Sequence, residues 1–83
     1  MATVSVQVKL YSILKQYGRE KGWGDAFTLT VEEGTSLDQI RQQIGIPARQ
    51  VGRFVRNGQG LPADYIVQAG DVIDIIPPTI GGG

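Results

Sequence analysis

The sequence predicts an α+β fold in which a mixed sheet of four or five strands packs on one main helix. Two runs of alternating apolar and polar residues in the first half indicate strands, and an apolar stripe with helical spacing follows them. The second half contains short segments rich in β-branched residues, separated by turn residues. A chain of 83 residues has room for one small domain of this kind.

The first two strands are predicted from their period-2 patterns. One face of the first strand carries Val4, Val6, Val8 and Leu10. A short helical turn and a loop are expected next, because glycines soon interrupt the near-helical spacing of Ile13, Leu14 and Tyr17. The alternation then resumes and ends at Gly34, so that one face of the second strand carries Phe27, Leu29 and Val31.

The main helix is predicted directly after the second strand. Its apolar stripe consists of Leu37, Ile40 and Ile44. We expect Thr35 to cap the helix and Asp38, at the third helical position, to complete a capping box. Gly45 and Pro47 are expected to end the helix.

The remaining strands are short. Phe54–Arg56 reads as a strand that enters the turn NGQG, whose Asn-Gly pair suits positive φ angles. The residues around Leu61 and Tyr65–Val67 form either a further short strand or a loop. Val72–Ile76 is too short for a helix and rich in β-branched residues, so it is predicted as the last strand, in the interior of the sheet.

The composition excludes several classes of function. Eight Lys and Arg balance eight Asp and Glu, so no net field favours nucleic acid or an anionic membrane as a partner. The sequence has no cysteine and no histidine, which excludes thiolate or imidazole metal sites, disulfides and the usual Ser-His-Asp or Cys-His nucleophiles. There is no signal-peptide pattern and no apolar run of membrane-spanning length, so we expect a cytoplasmic protein.

The most unusual stretch is the terminal IDIIPPTIGGG. Pro77 and Pro78 cannot donate hydrogen bonds to a sheet and should direct the chain out of it. Gly82 and Gly83 carry no side chains, so they could enter a narrow channel and present an unhindered carboxylate. The alternative is a passive end, because glycine runs also occur in linkers.

Together with the order of elements, the segments VRNGQ, QAGDVIDI and PPTIGGG resemble the ubiquitin-like sulfur carriers. This family includes the small subunit of molybdopterin synthase and the sulfur carrier of the thiamine pathway. The proline pair is typical of the molybdopterin branch, although members commonly end in two glycines and this chain ends in three. The resemblance implies a β-grasp domain over residues 1–78 and a flexible tail over residues 79–83.

The resemblance also implies how the chain functions. It would act as a sulfur carrier and accessory subunit, not as an enzyme, with Gly83 converted to an adenylate and then to a thiocarboxylate. Gly81 and Gly82 would thread the partner's channel, and the contacts with partners would involve Ile76, Pro77, Pro78 and Ile80. No cofactor would be bound, because ATP and Mg²⁺ are used by the activating enzyme.

The implied partners are a ubiquitin-activating-like adenylyltransferase, the large subunit of molybdopterin synthase and a sulfur donor such as a cysteine desulfurase. In the thiamine alternative, thiazole synthase replaces the large subunit. Two other readings stay open. The chain could be a protein modifier conjugated through Gly83, or a plain interaction domain with a passive tail.

Several other residues are candidates for binding roles. Trp23 lies between two glycines and could either anchor a partner or cover the edge of the core. Asp71 and Asp74 are too isolated for a metal site or an acid-base pair and are predicted as turn and exposed-strand residues. Of Ile75 and Ile76, one should pack inside. A basic patch or merely a solvated surface could be formed by Arg41, Arg49, Arg53 and Arg56.

Overall fold

The computed structural model describes residues 2–78, which form five strands, two α-helices and two short 3-10 turns. The strands are β1 (Thr3–Leu10), β2 (Ala26–Glu32), β3 (Arg53–Arg56), β4 (Gln59–Leu61) and β5 (Val72–Ile76). The helices are α1 (Lys15–Glu20) and α2 (Leu37–Ile44), and the 3-10 turns are Ser12–Leu14 and Ala48–Gln50. The strands form one mixed sheet in the order β2-β1-β5-β3-β4, which confirms the predicted fold class.

Strand β5 lies at the centre of the sheet, as predicted. It runs parallel to β1, where Val8 pairs with Ile73, and antiparallel to β3, where Phe54 pairs with Ile75. When a strand is paired on both sides and covered by a helix on one face, its buried positions favour apolar β-branched residues. Ile73 and Ile75 are accordingly fully buried.

One hydrophobic core holds the helix on the sheet. The predicted stripe of α2 is fully buried, and Leu14 from the first 3-10 turn joins it. The buried cluster consists of Val6, Val8, Leu10, Leu14, Val31, Leu37, Ile40, Ile44, Ile46, Phe54, Val67, Ile73 and Ile75. The two predicted alternating strands therefore place their apolar faces against the helix. In β2, Val31 is fully buried, and Phe27 and Leu29 are partly buried.

The predicted cap of α2 is wrong by one residue. Ser36 is the N-cap: its hydroxyl accepts a hydrogen bond from the Gln39 N–H at 3.2 Å, and the Gln39 side chain accepts one from the Ser36 N–H at 2.9 Å. The Thr35 hydroxyl instead donates to the Glu32 carbonyl at 2.6 Å. Asp38 lies in the first turn but is not part of the capping box.

The physical reason for the shift is a distant loop. The N–H groups of Leu37 and Asp38 donate to the carbonyls of Tyr65 and Ala63, at 3.0 and 2.9 Å. These contacts satisfy amides that a helix leaves without intrahelical partners and fix its start at Leu37. The C-terminal prediction is confirmed, because Gly45 ends the helix in the left-handed region with φ 94°.

In the second half of the chain, the structure decides which of the uncertain segments is a strand and which is a loop. Asn57 and Gly58 have φ angles of 52° and 80°, the geometry of a tight hairpin turn, so Leu61 belongs to strand β4. Residues 65–67 form a loop that touches the start of α2 through one isolated bridge between Ser36 and Ile66. Over residues 2–78, no helix is both long and apolar enough to pass through a bilayer.

Candidate functional site

The last described residues leave the sheet at a defined point. Strand β5 ends at Ile76, and Pro77 and Pro78 follow, neither of which can donate to a neighbouring strand. Directly before β3, the N–H of Gly52 donates to the Ile76 carbonyl at 2.7 Å. This hydrogen bond closes the pairing of β5 and β3 where the chain turns away.

Gly52 also lies directly against the proline pair. A Cβ atom at Gly52 would lie 2.7 Å from the Pro77 carbonyl oxygen and 2.7 Å from both N and Cα of Pro78. All three are backbone atoms, so no side-chain rotation could relieve the overlap. Only a glycine allows this approach without moving residues 76–78, which we call the exit segment. Gly52 was not among the predicted site residues, because nothing in the local pattern distinguishes it from a turn glycine.

The exit segment and the start of β3 line one open depression of ≈ 310 Å³. Its lining residues are Gly52, Arg53, Ile76, Pro77 and Pro78. The structure thus brings three of the predicted partner-binding residues together at one place. Arg53 is exposed beside them, and within the part of the chain that the structure describes it forms no ion pair. We call these five residues the exit platform.

Apolar side chains continue from the exit platform across the outer face of the sheet. Because Ile73 and Ile75 point into the core, strand alternation places Val72 and Ile76 on the opposite face. Val55 is opposite Asp74 in the β3–β5 register and is largely buried, yet it is not part of the core cluster. The expectation that one of the two last isoleucines packs inside is therefore confirmed for Ile75.

The four arginines of the second half do not all face a partner. The Arg41 guanidinium donates to Asp38 and to the Ile46 carbonyl, both at 2.8 Å, and its side chain is mostly buried. Arg56 binds Asp71, so two of the four cations are already used within the domain. The predicted patch of four arginines is thus reduced to two exposed residues, Arg49 and Arg53.

Asp71 is a turn residue, as predicted, but it is also the centre of a polar network. Its side chain is only 8% exposed. Its two oxygens accept hydrogen bonds from Arg56 Nη1 at 3.1 Å, the Tyr65 hydroxyl at 2.8 Å and the Gln68 N–H at 2.9 Å. Arg56 Nη1 also donates to the Tyr65 hydroxyl at 2.8 Å. The network ties the loop before β5 to β3, and sequence reasoning did not find it.

The charges of this network change the acidity of its members. Burial opposes ionisation of Asp71, but the Gln68 N–H, the Tyr65 hydroxyl and Arg56 outweigh it and lower the pKa of the carboxyl group. Burial, followed by the hydrogen bond to the Asp71 carboxylate, raises the pKa of Tyr65. Both effects favour an ionised Asp71 beside a neutral Tyr65. The network holds the loop in place, because its members hydrogen-bond one another.

Trp23 folds back on the domain. Its ring lies 4.9 Å from that of Phe27, centroid to centroid, and Phe27 packs against the core. Trp23 stays 39% exposed, and Lys21 Nζ lies over its ring at 5.4 Å from the centroid, so the side chain covers the edge of the core and remains partly open to solvent. Within residues 2–78, no three Asp or Glu side chains come close enough together to hold a metal ion.

The predicted reactive end of the chain lies outside the described residues. Ile80, Gly81, Gly82 and Gly83 were predicted as site residues, and all four come after Pro78. The division into a domain of residues 1–78 and a tail of residues 79–83 therefore stays a prediction. The described part of the candidate site is the exit platform, which fixes where the terminal residues begin.

Comparisons with known proteins agree with this architecture. The model of the ThiS family matches residues 13–82. No curated protein matches the sequence. Among solved structures, the HVO 2177 protein of Haloferax volcanii superimposes with a TM-score of 0.75 at 13% identity, covering 96% of this chain and 88% of that one.

Two other solved structures are similar over nearly their full length. A candidate molybdopterin converting factor subunit 1 of Pyrococcus furiosus gives a TM-score of 0.69 at 19% identity, covering 92% of this chain and 99% of that one. SAMP1 of Haloferax volcanii, a small archaeal modifier protein, gives 0.67 at 20% identity, covering 94% and 99%. At these identities the structures establish the fold, whereas the family model, which matches most of the chain, establishes the family. The chain belongs to the ThiS family and has the ubiquitin-like β-grasp fold.

Proposed function

We propose that this protein is a sulfur carrier whose C-terminal Gly83 is adenylated and then converted to a thiocarboxylate for molybdopterin synthesis. The observation that carries the proposal is the match to the ThiS family over residues 13–82, which runs through the proline pair into the terminal glycines. The exit platform supports it, because it directs the chain out of the sheet five residues before the terminus.

The first step activates a group that is unreactive by itself. A carboxylate is a poor electrophile, so the Gly83 carboxylate oxygen attacks the α-phosphorus of ATP on the activating enzyme, and pyrophosphate leaves. Mg²⁺ on that enzyme neutralises the phosphate charge. The product is an acyl-adenylate, in which AMP is the leaving group. The carrier supplies only the terminal carboxylate and the surface by which it is held.

Sulfur then enters at the acyl carbon of Gly83. The terminal sulfur of a persulfide on the donor attacks this carbon and displaces AMP, which forms an acyl disulfide. A second thiol of the donor system attacks the sulfur atom that is still bonded to the donor. It forms a disulfide with that sulfur and releases the thiocarboxylate on Gly83. The sequence contains no cysteine, so this chain has no thiol of its own on which to carry sulfur.

The described residues suit the task of docking. Ile76, Pro77 and Pro78 are half-buried and lie together at the exit platform, and Val72 continues the apolar surface on the outer face of the sheet. An apolar surface beside an exposed Arg53 fits a partner that presents apolar side chains and a carboxylate. The activating enzyme and the large subunit of molybdopterin synthase would use this surface in turn.

The molybdopterin branch is proposed over the thiamine branch for two reasons. The proline pair at residues 77 and 78 is typical of the molybdopterin branch, and a candidate molybdopterin converting factor subunit is among the structures of the same fold. The thiamine alternative predicts delivery to thiazole synthase. The two branches differ only after the thiocarboxylate is formed, so offering the charged carrier to each acceptor separates them.

Intact-mass spectrometry tests the proposal. The protein is incubated with candidate activating enzymes, ATP, Mg²⁺ and a cysteine desulfurase with cysteine, and its mass is compared with a reaction that lacks ATP. We expect a gain equal to the difference between one sulfur and one oxygen atom, and fragmentation should place it on Gly83. A chain shortened by Gly82 and Gly83 should show no change. No gain with any activating enzyme would contradict the proposal.

A second candidate function is protein modification, which the similarity to SAMP1 favours. In that case a lysine amine of a target attacks the same acyl-adenylate, AMP leaves, and an isopeptide bond forms at Gly83. Covalent conjugates of high mass that disappear when Gly82 and Gly83 are deleted would support this function. If trimming the glycines leaves binding and cellular function unchanged, the chain is a plain interaction domain with a passive tail.

A further inference from the structure

The contact between Gly52 and the proline pair has a consequence for the chemistry at the other end of the tail. The Gly52 N–H binds the Ile76 carbonyl at 2.7 Å, and Gly52 has no side chain to separate it from Pro77 and Pro78. The exit segment thus lies close against the residue that precedes β3 and is hydrogen-bonded to it. This arrangement fixes the direction in which the following residues begin.

We propose that Gly52 is a positioning residue that aligns the C-terminal carboxylate with the active site of the activating enzyme. The inference rests on the proposed function, because it presumes that Gly83 is activated by a docked partner. Gly52 does not touch the reacting atoms. It acts through the exit segment, by setting where the tail starts relative to the surface that docks.

The distances make such an alignment important. Five residues follow Pro78, and a chain of that length reaches at most about 17 Å. A partner that holds the exit platform and receives the tail in a channel has little slack to correct a displaced start. Misplacing a reacting group by about 1 Å can lower a rate by about 100-fold. An added Cβ at Gly52 cannot be accommodated unless the backbone of Gly52 or of Pro77 and Pro78 shifts, since the overlap is with backbone atoms.

The chain offers a matched control glycine. Gly60 lies in β4 beside β3, and an added Cβ there would have no atom of residues 2–78 within 4 Å beyond its chain neighbours. Gly60→Ala therefore adds the same methyl group to the same sheet without touching the exit segment. Neither glycine has a positive φ angle, so neither substitution adds backbone strain of that kind.

The test measures adenylation as ATP–pyrophosphate exchange by the activating enzyme that charges the wild-type protein. We expect Gly52→Ala to lower kcat by about 10- to 100-fold and to change KM much less. Gly60→Ala should behave like the wild type. A variant that is merely unstable would lower the concentration of folded carrier, which raises the apparent KM and leaves kcat unchanged. Unfolding curves for all three proteins define the folded fraction.

A measurement on the wild type keeps the proposal testable even if Gly52→Ala does not fold. The Gly52 amide should exchange with solvent deuterium more slowly than the amide of Gly58 in the exposed hairpin turn. Equal exchange would overturn the proposal, as would a kcat of Gly52→Ala equal to that of Gly60→Ala. If no enzyme adenylates the wild type, the proposed function fails, and slow exchange at Gly52 would still establish the contact itself.

Discussion

The Asp71 Oδ1 atom lies 3.1 Å from Arg56 Nη1, an ion pair between residues fifteen positions apart in sequence. It joins the loop that leads into the central strand β5 to the end of β3, the strand that pairs with β5. We expect Asp71→Asn to lower the free energy of unfolding by about 1.5–3 kcal/mol, because a hydrogen-bonded charge is lost while Arg56 stays. Chemical denaturation measures the change.

Asp74→Asn is the control for that substitution. Asp74 is half-buried on the neighbouring strand, and within residues 2–78 it forms no ion pair. Its replacement should alter stability by about 0.5 kcal/mol or less. Equal losses for the two variants would mean that the Asp71 network contributes nothing beyond an ordinary surface charge.

The same network predicts a dependence on pH. The folded-state pKa of Asp71 is lowered from its ordinary value of 3.8, so its contribution to stability is fully present above that value. The contribution is lost as the pH falls from 3.8 through the lower folded-state pKa. The difference in unfolding free energy between wild type and Asp71→Asn should therefore shrink as the pH is lowered from 5 to 2. A difference that stays constant or grows would contradict this assignment.

The contribution of the hydrophobic core to stability can be tested at Ile40. Its side chain is fully buried between α2 and the sheet, so Ile40→Ala should destabilise the domain by about 2–5 kcal/mol by leaving a cavity. Ile13→Ala, at an exposed position, should have little effect. Any loss of carrier activity in Ile40→Ala should follow the loss of folded protein measured by circular dichroism. Loss of activity in a fully folded Ile40→Ala protein would show that the core has a direct part in function.

The proposed role of the tail can be tested at Gly82. Gly82→Val should leave the free energy of unfolding nearly unchanged, because residues 2–78 already form a hydrophobic core without it, and should abolish adenylation by crowding the partner's channel. Thermal unfolding and ATP–pyrophosphate exchange measure the two effects separately. A comparable loss of stability would show that the terminal residues contribute to the folded domain.

Much of the fold could be predicted from local patterns. The alternation through Val6 and Val8, the stripe through Ile40 and the apolar run ending at Ile76 each depend on neighbours a few residues away, and each prediction is confirmed. The hairpin could also be predicted from the sequence, because an Asn-Gly pair adopts positive φ angles at little cost in free energy.

The rest depends on contacts between distant segments. Thr35 and Ser36 are both good capping residues, and the carbonyls of Ala63 and Tyr65, far along the chain, decide between them. The glycine at the exit platform and the Asp71 network were missed for the same reason. A sequence pattern indicates where the tail begins, but the contact that directs it is visible only in three dimensions.

The most direct test of the account is the chemical state of Gly83 in protein taken from its own cells. The protein is purified without reducing agents or nucleophilic amines, digested, and its C-terminal peptide is analysed by mass spectrometry. We predict that a fraction of this peptide carries a thiocarboxylate at Gly83. A terminus found only as free carboxylate, or joined to lysines of other proteins, would contradict the sulfur-carrier function.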